Sequence, residues 1–197
     1  MTIWQGNPVT SSIWKSPLRG RVLVRGVNVT GDDQADREVH GGPEKSLYAY
    51  DDEDYAWWSA ELGRTLEPGT FGENLTVAGI AVSDALIGEQ WRIGSVVLQV
   101  TQPRFPCYKL AMRMNDPNFV RTFSHAGRPG AYLHIISDGE LGANDVIAVV
   151  QRPNHTLTIK EMFRIYLFEH QRASEFLAAP ELSDRWQAWA RQQISPS

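Results

Sequence analysis

Val96-Val97-Leu98-Gln99-Val100-Thr101-Gln102-Pro103-Arg104-Phe105-Pro106-Cys107-Tyr108-Lys109 is the stretch on which the reading of this chain turns. Its first six residues are β-branched or apolar for the most part and predict a buried strand. Two prolines then end the ladder and fix the backbone, and Cys107 is expected to open a helix carrying Leu110, Met112 and Met114. A thiol at a helix start, with Arg104 and Lys109 nearby, has its thiolate form favoured by the helix dipole and by cations. The thiolate is the species that binds a soft metal or attacks an electrophile. A lone cysteine serves as readily as a small buried hydrophobe, so its neighbours decide the matter.

Working outward, residues 21–29, 46–50, 74–77, 91–100, 131–136 and 146–150 have strand composition and are separated by glycine and proline. Many short strands with turns between them favour a closed or nearly closed barrel over a βαβ sheet. Helices are expected at 52–62, with Asp51 or Asp52 as N-cap and Tyr55, Trp58 and Leu62 on one face, and near Asp116-Pro117. After Arg152-Pro153 the composition changes. Thr158-Ile159-Lys160-Glu161 reads as a capping box, and further helices are expected over 173–178 and 182–193, where Trp186 and Trp189 share a face. The chain therefore divides into a mainly β body, residues 1–152, and a small three-helix extension, residues 153–197.

A net charge of -4 with both signs interspersed gives no footprint for nucleic acid. No apolar run approaches about 18 residues and no secretory leader is evident, so neither a membrane nor export is expected. One cysteine excludes an internal disulfide framework, and together these features fit a reducing cytoplasm.

Three further patches carry potential chemistry. In residues 36–45 the pair Gly41-Gly42 permits close backbone approach, and His40 and Lys45 supply donors suited to phosphate or a polar ring; a tight turn with solvated charges is the plainer reading. The spacing is not that of a P-loop. In Pro68-Gly69-Thr70-Phe71-Gly72-Glu73-Asn74, Glu73 and Asn74 present an acceptor and an amide able to read a heterocycle edge, or form an ordinary β-turn. Arg104 has the fork for a phosphate. His125, Arg128 and Gly130 form a weaker patch able to close over a ligand, for which an ordinary loop is the plainer reading.

Taken in order, Gly31 to Asp36 leading into Val39-His40-Gly41-Gly42, then Phe71-Gly72-Glu73-Asn74-Leu75, Gln102-Pro103-Arg104 and Pro106-Cys107-Tyr108-Lys109-Leu110 resemble the bacterial YiiM-type proteins of the MOSC class, over nearly the whole chain. The resemblance implies a MOSC-type β-barrel core, similar to the pyruvate kinase β-barrel, that binds the pterin-based molybdenum cofactor. It implies Cys107 as the protein thiolate on molybdenum, and reduction of N-hydroxylated small molecules such as hydroxylamino purines and amidoximes. Cofactor contacts are then expected from His40, Gly41, Lys45, Gly72, Glu73, Asn74, Gln102 and Arg104, with Lys45 and Arg104 on the phosphate or polar ring, and proton transfer from His40 or Glu73. No iron–sulfur cysteines and no dinucleotide fingerprint are present, so electrons would come from a separate flavoprotein or iron–sulfur partner. Two positions depart from the family pattern: Phe105 stands where serine is expected, removing a hydroxyl, and Ala131 where tryptophan is usual, widening a pocket wall. Two rival readings are a sulfur or cofactor carrier that uses Cys107 without turnover, and a binding module in which Cys107 is merely buried.

Overall fold

A computed structural model describes residues 2–4, 6–9, 11–29 and 42–194. The segment from Gly31 through His40 and Gly41 lies outside the described residues. Among those described, the chain forms β1 (Thr2–Trp4), β2 (Asn7–Val9), β3 (Arg21–Arg25), β4 (Asn28–Val29), β5 (Leu47–Asp51), α1 (Asp52–Glu61), β6 (Leu75–Val77), β7 (Gln90–Ile93) and β8 (Val96–Pro103). There follow α2 (Tyr108–Met114), α3 (Phe119–Ala126), β9 (Ala131–Ser137), β10 (Gly139–Gly142), β11 (Ile147–Gln151), α4 (Ile159–Phe168), a 3₁₀ run over His170–Ala178, and α5 (Asp184–Ile194).

The fold is a mixed one, built on a six-stranded half-barrel sheet in the order β11-β7-β8-β9-β5-β6. Every pairing in it is antiparallel except β5 with β6. That exception is a β5–α1–β6 crossover within a sheet otherwise antiparallel, and parallel strands need such a connection. A second sheet, β10-β3-β4, continues the curl. It is tied to the β7–β8 turn where the Ser95 amide donates to the Glu140 carbonyl (3.0 Å) and the Glu140 amide donates to Ser95 Oγ (2.8 Å).

The predicted strand over 91–100 is two strands. Gly94 sits at φ +58°, and a Cβ there would lie 2.4 Å from the Glu140 carbonyl oxygen, so the chain reverses at Gly94-Ser95. The alternation along β8 then explains the core. Val96, Leu98, Val100 and Gln102 are buried while Val97, Gln99 and Thr101 are half-buried. β5 is buried throughout because it lies between two neighbours and is covered on both faces. Its residues alternate between two apolar clusters: Leu47 and Ala49 join the barrel interior, Tyr48 and Tyr50 a second cluster with α1, α2 and α3.

The C-terminal helices complete both clusters. Ile159, Met162, Ile165, Phe176 and Trp186 pack into the first, and Phe163 into the second. Thr158 caps α4 by accepting the Glu161 amide (3.1 Å), but the Glu161 carboxylate turns away to Arg172 (2.6 Å), where two further carboxylates, Glu169 and Glu175, converge on the same guanidinium. Among the described residues no helix is long and apolar enough to cross a membrane.

Asp51 occupies the N-cap position of α1 by its backbone alone. Its side chain instead accepts the Val82 amide (3.0 and 3.1 Å), fixing the 3₁₀ turn Val82–Asp84. Burial raises its carboxyl to about 7 against the opposing pull of that amide. A raised value in the folded state means that the fold binds the proton more tightly than the unfolded chain. The contribution of Asp51 to stability is therefore present at low pH and lost as pH rises from about 4 through about 7. In Asp51→Asn, which keeps an acceptor for Val82, that loss disappears, so calorimetry should find the Tm of the variant gaining on wild type between pH 5 and pH 8.

Candidate functional site

The site is built where β8 ends. Val100 pairs with Leu133 and Gln102 with Tyr132, so two residues of β8 stand opposite one of β9 across this step. Such a bulge re-aims the side chains that follow it. Thr101, at the bulge, donates through Oγ1 to the Glu44 carbonyl (2.6 Å) and lies 3.0 Å from the Tyr132 carbonyl. It thereby holds down the 3₁₀ turn Pro43–Lys45, whose Pro43 carbonyl also takes Ser46 Oγ (2.7 Å) and lies 3.0 Å from His134 Nδ1. Lys45 is thus held beside the β8–β9 pair, half-buried. Removing one hydroxyl with Thr101→Val should cost about 1 kcal/mol. Amide exchange should show the Pro43–Lys45 turn opening more than the strands around it.

Beyond Pro103, Arg104 folds onto the Tyr48 ring, its guanidinium carbon 5.4 Å from the ring centre, and is only 7% exposed. It hydrogen-bonds the Tyr132 side chain and is coupled electrostatically to Cys107. Burial works against its charge, yet Tyr48, Tyr132 and Cys107 outweigh that and hold its pKa above the ordinary value. Burial likewise raises both tyrosines, opposed by the neighbouring guanidinium. The Arg104 Nη1 is buried and has no partner. Cys107 is half-buried, sits at the N-cap position of α2 with extended backbone, and makes no capping bond through its side chain.

Glu73 is 2% exposed, and its Oε1 gathers the Tyr55 hydroxyl (2.5 Å), the Gly69 amide (2.6 Å) and Thr76 Oγ1 (2.9 Å). One oxygen thus anchors the 69–76 loop, while Oε2 is buried with no partner. Burial and the Glu73 charge push the Tyr55 phenol well above its ordinary value, so it stays a donor. Asn74 is clamped to β5: its amide donates to the Tyr48 carbonyl (2.8 Å), and the Tyr48 amide donates to Asn74 Oδ1 (2.9 Å). Gly72, at φ +80°, lies so close to Ile13 that a Cβ would be 2.8 Å from its Cγ1. Tyr48 feels the charges of both Arg104 and Glu73 and so links the two patches.

The structure therefore gathers Glu73, Asn74, Arg104 and Cys107 around Tyr48 and Tyr132. Gln102, which follows the bulge and stands opposite Tyr132, is 3% exposed and accepts the Trp186 indole N–H (3.0 Å). His40 and Gly41 lie outside the described residues. Arg128, in the weaker patch, lines a cleft with Asp54, Asp84 and Lys160. Its guanidinium pairs with Asp54 and lies 4.5 Å from the Trp57 ring centre, and the Arg128 and Pro129 carbonyls accept Tyr50 and Tyr48. Phe105 turns into the C-terminal helices against Tyr166 (4.6 Å), Phe163 (5.5 Å) and Trp186 (5.6 Å). Ala131 is fully buried between Ala49 and Pro103. Tyr48 and Tyr132 escaped the sequence reading as site residues, and Trp186 entered it only as a packing residue, because an aromatic residue in a strand or helix signals packing first. Their role shows only in the cross-strand register and the long-range contact to residue 102.

Among the described residues no group of three or more His, Cys, Asp or Glu side chains is arranged to hold a metal ion. A barrel end with a single thiol, a buried guanidinium with one donor unpartnered and a glycine-backed carboxylate is the setting in which the comparisons with known proteins fall. Residues 36–148 match the MOSC domain, and the chain belongs to that family, whose domains are associated with molybdenum-cofactor binding. It is 31% identical over 188 residues to Protein YiiM of Escherichia coli (strain K12), a match covering 92% of this chain and 83% of that protein. It is 30% identical over 166 residues to a protein of Gibberella moniliformis named Reductase, covering 81% of this chain and 29% of that longer one. The crystal structure of YiiM from Geobacillus stearothermophilus superposes with a TM-score of 0.79 at 28% identity, covering 93% of this chain and 89% of that one.

Proposed function

We propose that this chain is a molybdenum-cofactor-dependent reductase of N-hydroxylated compounds, amidoximes and hydroxylamino purines among them, with Cys107 as the protein ligand to molybdenum. The observation that carries the reading is Arg104. A guanidinium more than nine-tenths buried, with a donor left without a partner three residues from the chain's one cysteine, fits an anionic group bound beside that thiol.

The remaining residues fit the same group. A thiolate is a soft ligand of the kind that molybdenum accepts. The unpartnered Glu73 Oε2 offers an acceptor to a ring N–H, and the close packing of Gly72 on Ile13 fixes the loop that carries it. Arg104 and Lys45 bind the phosphate or polar ring of the cofactor, and His40, Gly41, Gly72, Glu73, Asn74 and Gln102 line the pterin or the substrate. When bound, the cofactor supplies a two-electron couple and a Lewis-acidic metal. The overall reaction consumes two electrons and two protons: the N–O bond breaks, the nitrogen keeps the electron pair as an N–H, and the oxygen leaves as water. His40 and Glu73 are the groups proposed to hand on the protons. The electrons come from a separate flavoprotein or iron–sulfur donor, in a cytoplasmic setting. The fungal relative named Reductase supports the redox reading.

The test is molybdenum and pterin content of protein made in a cofactor-competent host, followed by benzamidoxime turnover with a chemical reductant. Stoichiometric metal and pterin with formation of benzamidine is the expected result. Metal and pterin without turnover would favour a cofactor carrier. Protein that holds neither, and cannot be loaded, overturns the proposal.

A further inference from the structure

We infer that Trp186, on α5, is a positioning residue for the candidate cofactor site, acting through Gln102; this rests on the reading of Gln102 as a site residue. The indole N–H can only donate, so the atom 3.0 Å from it must be the amide oxygen of Gln102. That single contact selects one of two orientations of the carboxamide and turns its Nε2 hydrogens away from Trp186. The side chain that stands opposite Tyr132 is thereby fixed as a donor, two residues before a guanidinium that is also a donor, which is the charge pattern an anionic ligand requires.

Both partners are held hard. Gln102 is 3% exposed at the bulge of β8 and Trp186 is 5% exposed. Tyr166 (5.1 Å, 86°) and Phe176 (6.2 Å, 74°) meet the Trp186 ring edge-on, and Phe105 lies 5.6 Å away. The indole therefore cannot swing off the amide without breaking an aromatic cluster built from α4, the 3₁₀ run and α5. Phe105 extends the same support to the segment between Arg104 and Cys107. The C-terminal helices thus brace the site at two points, one polar and one apolar.

Trp186→Phe keeps the ring packing and removes only the donor, whereas Gln102→Leu removes the acceptor. Full-length wild type, both single variants and the double variant are made in a cofactor-competent host and passed through gel filtration, and retained pterin and molybdenum are measured. Trp186→Phe should retain cofactor about tenfold less tightly, the scale of losing one buried hydrogen bond that leaves its partner unmet. The double variant should be no worse than Gln102→Leu alone, because both changes remove one interaction. Undiminished retention in Trp186→Phe, or losses that multiply in the double variant, overturns the inference. NMR of the cofactor-free proteins supplies an independent reading. The Gln102 side-chain amide should give one sharp pair of signals in wild type and an exchange-averaged pair in Trp186→Phe, and identical signals in the two would also overturn it. A wild type that binds no pterin defeats the cofactor reading, and the NMR comparison then decides the positioning role by itself.

Discussion

Cys107→Ser is expected to purify with pterin and without molybdenum, and its reduction of an amidoxime should fall by at least about a thousandfold, the scale of removing a group on which the chemistry depends. Serine offers a hard oxygen that stays protonated at neutral pH, where sulfur is the softer donor. The fold gives no reason for a wider effect. The Cys107 side chain makes no capping bond and is half-buried, so the variant should melt within about 0.5 kcal/mol of wild type. Pterin retention follows because the contacts proposed to anchor it, from Arg104 and the Glu73 loop, are untouched. Elemental analysis and pterin fluorescence on the same sample separate the two losses. Metal retained by the serine variant would exclude Cys107 as the ligand.

The largest effect on stability is expected at Trp58. Its side chain is fully buried, donates through Nε1 to the Tyr50 hydroxyl (2.7 Å), and packs on Phe119 (5.2 Å), Phe71 (5.7 Å) and Phe123 (5.9 Å, stacked). Trp58→Ala removes the hub of the second apolar cluster, leaves a cavity among rings that cannot all close on it, and costs Tyr50 one of its hydrogen bonds. The cost should be about 4–5 kcal/mol. For a chain of this size that corresponds to a Tm lower by about 10–15 °C. Trp58→Phe keeps most of the ring contacts and should cost only about 1–2 kcal/mol, mainly the lost N–H donor. A melting series over the three proteins separates packing from hydrogen bonding.

The strand-then-thiol segment is legible in the sequence because alternation along β8 and the prolines after it act locally. The division at Gly94 is not, since Trp91 to Val100 keeps strand composition through the turn, and only the approach of the Glu140 carbonyl shows why a glycine stands there. β10, Gly139-Glu140-Leu141-Gly142, carries one apolar residue and earns its strand geometry entirely by pairing with β3. The parallel β5–β6 pair is likewise a tertiary fact, depending on where α1 packs. At the site, Arg104, Glu73 and Asn74 stand out as polar residues among glycine and proline. Their grouping around Tyr48 depends on pairings between residues distant in sequence, such as Tyr48 with Tyr132. The Glu161 carboxylate shows the limit of a local motif. Its amide follows the capping pattern, but Arg172, placed by the next helix, is the stronger claim on its charge.

The bond between residues 102 and 186 spans 84 positions of the chain, and this has a bearing on biosynthesis. At a translation rate of about 5–20 residues per second, Trp186 is made about 4–17 seconds after Gln102. During that interval a nascent chain already possesses the strand, the arginine and the thiol, but not the brace behind them. On the proposed function, a cofactor offered then would meet a loosely organised site, and loading is expected to follow synthesis of the final helices rather than to accompany it.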